Sequence, residues 1–109
     1  KQPAKALEDL KVLSKDTRTV HGAEAKYLVE LQWYNAGNYA SAEKEILNFI
    51  DQSTPYAYWL ARSFILLSDV YVAMDKKLDA RQYLLSLQQN YQADDDIASM
   101  INERLEKLK

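Results

Sequence analysis

A chain of 109 residues with 48% hydrophobic and 28% charged side chains can close one core, which excludes an intrinsically disordered segment. Two glycines and two prolines exclude a turn-rich β fold, and the lack of cysteine excludes a disulfide frame, Cys-ligated zinc and thiol catalysis. Fourteen basic against sixteen acidic side chains, a net charge of −2, offer no basic face for nucleic acid.

Pro3 suits a first helical turn, and Ala6, Leu7, Leu10 and Leu13 follow helical spacing, which predicts a helix over 3–14. The polar stretch from Lys15 to Val20 reads as a connection. A second helix over 22–36 carries Ala25, Leu28, Val29 and Trp33 on one side, and Gly37 supplies the left-handed position that ends it. Asn38 can cap a third helix over 39–52, which buries Ala42, Ile46, Leu47, Phe49 and Ile50. Thr54 and Pro55 open a fourth over 55–74, about 30 Å long at a rise of about 1.5 Å per residue. A fifth covers 78–91. The last, over 95–108, has an apolar stripe of Ile97, Ile101, Leu105 and Leu108 and a charged outer side of Glu103, Glu106, Lys107 and Lys109. That division suits a helix closing the end of a repeat array. No run approaches the roughly 18 apolar residues of a membrane span, so no direct membrane insertion is expected.

Three of these segments share the spacing Ala-x3-apolar-x2-apolar: Ala6, Leu10, Leu13; Ala42, Ile46, Phe49; and Ala80, Leu84, Leu87. Val29 and Trp33 precede Ala42 as Leu67 and Tyr71 precede Ala80, each aromatic nine residues before its alanine. A small alanine lets two helices approach, and the ring of the preceding helix fills the space beside it.

The run Ala23-Glu24-Ala25 to Trp33, then Gly37-Asn38-Tyr39-Ala40-Ser41-Ala42, resembles the tetratricopeptide repeat, as does Phe64, Leu67, Ser68, Tyr71, Ala80, Leu84 and Leu87. The resemblance covers 23–91, with 4–14 as a partial unit. The stretch from Tyr56 to Val72 is also similar to long repeat proteins of the bacterial cell envelope, which implies a periplasmic or envelope location. Departures are present. Lys26 stands where an aromatic is expected, and Glu30 where a small residue is expected. Asp75 and Lys77 replace the corner Gly and Tyr, with Leu78 in the aromatic's place. The alanines are 36 and 38 residues apart, against about 34 in the standard unit. The extra turn is expected at Thr54 to Trp59, as a longer start to the fourth helix.

The expected architecture is all-α: a right-handed superhelical stack of antiparallel helical hairpins, a tetratricopeptide-like α-solenoid fragment. It forms one domain over 1–109. Residues 3–14 are the second helix of a truncated preceding repeat, 22–53 and 55–91 the two hairpins, and 95–108 the capping helix. A unit that matches only the second helix of a hairpin implies more repeats upstream.

Candidate chemistry is sparse. His21 sits at a helix entrance with no convergent partner in sequence, which suits a surface role. Asp94, Asp95 and Asp96 lack the alternating ligands and glycine of a calcium loop and suit a helix start. Glu43 and Glu45 are two apart, do not face each other, and read as solvated surface. Asp69, in the most apolar helix, is expected to pair with Arg62 or Arg81, or alternatively to meet a partner. No nucleophile–base pair, metal spacing or phosphate loop appears, so neither catalysis nor a cofactor is expected.

The resemblance implies a concave groove lined by the first helices of each hairpin. Its matching positions are Glu24, Tyr27, Leu31, Tyr34 and Asn35 in one, and Arg62, Ile65, Asp69, Val72 and Ala73 in the other. The Lys/Asn/Arg set that clamps a terminal carboxylate in similar domains is missing. An extended or helical peptide docked along aromatics is the expected partner. The expected function is a non-catalytic protein-interaction scaffold; the alternative is an assembly element that self-associates or docks on upstream repeats.

Overall fold

The computed structural model describes residues 20–52, 54–93 and 95–108. The helix expected over 3–14, with Ala6, Leu10 and Leu13, lies outside the described residues, as do most of the connection before Val20 and also Asp94 and Lys109. Among the described residues there are five helices and no strand: α1 (Val20–Asn35), α2 (Tyr39–Asp51), α3 (Ala57–Ala73), α4 (Lys77–Asn90) and α5 (Ile97–Lys107). The all-α expectation therefore holds, with helix ends within two residues of those read from sequence.

The two tight corners are built alike. Gly37 takes φ 80°, its amide donates to the Tyr34 carbonyl at 3.0 Å, and the Asn38 amide donates to the Trp33 carbonyl at 2.9 Å. This pair of bonds is the Schellman closure, which satisfies carbonyls left open by the end of α1. Asp75 takes φ 61°, donates to the Val72 carbonyl at 3.0 Å, and is followed by Lys76 donating to the Tyr71 carbonyl at 2.7 Å. The second corner is thus the same motif without glycine. Leu78 does not fill the aromatic's place there: it is 80% exposed, because the corner closes through backbone bonds and leaves that side chain outward. Asn38 Oδ1 accepts from the Ser41 amide and caps α2.

The connection from α2 to α3 differs from the expectation. Thr54 is buried and its hydroxyl accepts from the Tyr56 amide at 3.3 Å, so α3 begins only at Ala57, with Tyr56 as N-cap. Residues 54–56 lie in this connection and not in the helix, since the local side-chain bond gives the backbone an alternative to helix.

Packing follows from the alanines. Ala42 and Ala80 are fully buried in one cluster with Tyr27, Ile46, Leu66, Leu67, Val70 and Tyr71, and Trp33 packs against it. A second cluster joins Ala61 and Ile65 of α3 to Leu84 and Leu87 of α4 and to Ile97 and Ile101 of α5. Burying one such Leu or Ile contributes about 1.5–3 kcal/mol. Helix α3 packs against all four other helices and contributes to both clusters. Leu47, expected inside, is 36% exposed on the outer side of α2.

The two departures in α1 are explained by tertiary bonds. Lys26 is buried and its ammonium reaches Glu45 and Asn48 of α2, the latter at 3.1 Å. Glu30 is fully buried and accepts from the Ser63 hydroxyl of α3 at 2.8 Å. Glu43 accepts from the Tyr71 hydroxyl at 2.7 Å. Glu43 and Glu45 are therefore half-buried tie points and not solvated surface, each meeting a donor from a different helix.

Candidate functional site

The C-terminal parts of α1, α3 and α5 converge on one open groove of about 510 Å³. Tyr34 of α1 and Ser68, Asp69, Val72 and Ala73 of α3 form two of its walls. Glu103, Arg104, Lys107 and Leu108 form the third, and Lys77 stands at the start of α4. Helix α2 contributes nothing to it.

Asp69 does not pair with Arg62 or Arg81. Its partner is Arg104, which binds it with two parallel bonds, Nε to Oδ1 at 2.9 Å and Nη2 to Oδ2 at 3.0 Å. Arg62 lies seven residues upstream, about two turns away, while α5 carries Arg104 across the face of α3. Arg104 Nη1 also donates to the Met100 carbonyl at 3.2 Å, which fixes the guanidinium. Burial works against the charge of Arg104, but the bonds and charge of Asp69 outweigh it and hold the group protonated above its ordinary range. The Tyr34 hydroxyl is pushed up by burial and then by the Asp69 charge, so it stays a neutral donor. Tyr34 packs on Tyr39 with ring centroids 5.7 Å apart.

The other expected residues are distributed along and around this stripe. Tyr27 and Arg62 meet at the opposite end of the same helices. There the guanidinium lies 5.2 Å from the Tyr27 ring centroid, donates to the Tyr58 hydroxyl at 3.0 Å and approaches Asp96 at 3.6 Å. Tyr27 and Tyr58 both pack on Trp59, with centroids 5.7 and 5.2 Å away. Tyr27 is buried, so it is a core ring with a polar edge and not a free contact residue. Ile65 is not outward at all: it is fully buried beneath Ile97 and Ile101, because α5 covers that face of α3. Leu31 is half-buried against the first cluster. Glu24 is half-buried and Asn35 exposed, and neither lines the groove. Of the ten expected positions, Tyr34, Asp69, Val72 and Ala73 line the groove.

Lys77, Arg104, Lys107 and Leu108 were not legible as site residues. The available signal was the unmatched acid Asp69 in an apolar helix, together with Arg104 lying one turn from Ile101 and Leu108 on the last helix.

Among the described residues no group of three or more His, Cys, Asp or Glu side chains could hold a metal ion. No described helix is long and apolar enough to cross a membrane. No protein-family model matches the chain, and no curated protein or solved structure does so.

Proposed function

We propose that this chain is a non-catalytic interaction scaffold, a stack of tetratricopeptide-like hairpins closed by α5, that holds a peptide or protein segment in the groove of α1, α3 and α5. The observation that carries the reading is the origin of the groove walls: Tyr34, then Asp69, Val72 and Ala73, then Glu103, Arg104, Lys107 and Leu108 come from α1, α3 and α5, while α2 contributes none and α4 only Lys77 at its start. Hairpins that stack in order present their first helices to a common face in this way. Support comes also from the two equivalent corners, Gly37 and Asp75, each placed five residues before a fully buried alanine. The groove is open and mixed in character. An aromatic ring, the apolar Val72 and Leu108, and a fixed ion pair suit a segment that seats one apolar anchor and bonds along its backbone.

The test uses peptides selected from a random display library on the intact chain. Amide shifts on adding a selected peptide should cluster at Tyr34, Asp69, Val72 and Arg104. Tyr34→Ala should weaken binding by at least about tenfold, the loss usual for a central aromatic contact, with helicity unchanged. Shifts confined to other surfaces, or affinity untouched by Tyr34→Ala, would overturn the groove assignment. Light scattering across concentration distinguishes the assembly alternative, which requires mass to grow with concentration.

A further inference from the structure

We propose that the Glu30 carboxyl is a proton-operated latch: protonated, it closes the seam between α1 and α3, and ionised, it loosens that seam and the spacing of the two groove walls these helices carry. The geometry is that of a carboxyl with too few donors. Glu30 is fully buried on α1, and its Oε1 accepts one bond, from Ser63 of α3 at 2.8 Å. Its Oε2 is buried with no hydrogen-bond partner among the described residues. Ser63 is itself fully buried.

The charged and titratable groups that face Glu30 are few. From α1, Lys26 favours the charged form, but its ammonium is turned to Glu45 and Asn48 of α2. From α2, Glu45 disfavours the charged form. From α3 there is only the Ser63 hydroxyl, which favours it. Burial, reinforced by Glu45, outweighs Ser63 and Lys26, and the carboxyl is pushed up to about 8. A charge here has one donor in an apolar seam, so the group takes a proton instead.

The direction of the effect follows from linkage. In the unfolded chain the carboxyl titrates near 4.5, so through the interval up to about 8 the folded chain holds a proton that the unfolded one has lost. The stabilising contribution is full at low pH, declines as pH rises and is gone above the folded midpoint. Seam opening therefore becomes easier across neutral to mildly alkaline pH. The groove feels this because Tyr34 lies one turn beyond Glu30 on α1, and Asp69 lies further along α3 from Ser63.

Native-state amide exchange on the intact chain tests the latch. Protection factors of the α1 and α3 amides should fall about tenfold from pH 7 to pH 9, the change that a folded midpoint near 8 imposes. Glu30→Gln should abolish that fall. Because this variant could lose structure, the Glu30 carboxyl carbon is also followed by NMR in the native chain, with an expected midpoint near 8. Ser63→Ala, which removes the donor favouring the anion, should move the midpoint higher. A midpoint in the ordinary carboxylate range, or equal protection at both pH values, overturns the proposal. So does the same fall in folded Glu30→Gln, or a midpoint left unmoved by Ser63→Ala.

Discussion

Asp69 and Arg104 join α3 to α5 through two parallel bonds, and each side chain keeps about a quarter of its surface in water, 23% and 25%. That environment lies between a solvated pair, worth under about 1 kcal/mol, and a desolvated one whose breakage costs several. A double-mutant cycle of Asp69→Ala and Arg104→Ala, read by urea denaturation, should give a coupling of about 1 kcal/mol, since the two-pronged geometry strengthens the pair while exposure screens it. A coupling near zero would mean that this ion pair adds nothing to the hold of the apolar stripe on α5. The acid was legible in the sequence as an anomaly in an apolar helix, but its partner was not, because 35 residues and two turns of chain separate the two. Glu30 was legible in the same limited sense. The resemblance to a repeat implied a small residue there, and only the crossing of α1 on α3 brings Ser63 to it.

At the scale of elements, the two corners show how one backbone motif accepts two residues. Gly37 carries no side-chain penalty at φ 80°, whereas Asp75 holds φ 61° with a Cβ that the left-handed region disfavours. The Lys76 amide bonded to the Tyr71 carbonyl, and the burial of Ala80 just beyond, hold Asp75 in that state. Asp75→Gly should therefore stabilise the chain by about 0.5–1 kcal/mol, read as a higher thermal midpoint, with the greater freedom of glycine in the unfolded chain offsetting part of the gain. A lower midpoint would mean that the Asp75 side chain makes a bond worth more than its strain. Gly37 announced its corner in the sequence. Asp75 was legible only by its place opposite the corner glycine, since an aspartate enters the left-handed region less readily than glycine and signals a turn less strongly.

At the scale of the whole molecule, α3 spans both core clusters, and Leu108 packs against each of them. Such sharing predicts one cooperative transition in place of separate unfolding of hairpins. Ala42→Leu overfills the first cluster and should cost about 1–3 kcal/mol. Ile101→Ala opens a cavity in the second and should cost about 2–5 kcal/mol. Both should lower the same midpoint, whether followed by tryptophan fluorescence, which reports on Trp33 and Trp59 near the first cluster, or by far-ultraviolet circular dichroism. Two resolved transitions would show that the clusters fold independently.

What the sequence by itself determined is local and periodic. The helices, the left-handed stop at Gly37, the small residues Ala42 and Ala80 and the apolar stripe of α5 follow from spacing and capping, which act within a few residues. The tertiary structure alone decided which polar groups meet: Arg104 with Asp69, Lys26 with Glu45, Glu43 with Tyr71 and Glu30 with Ser63. It also decided that Ile65 lies under α5 and that the groove takes its third wall from that helix. The physical reason is range. Backbone preference and hydrophobic period are properties of neighbouring residues, whereas the partner of a buried charge is fixed by the angle at which two helices cross, and that angle is set by every side chain in the interface.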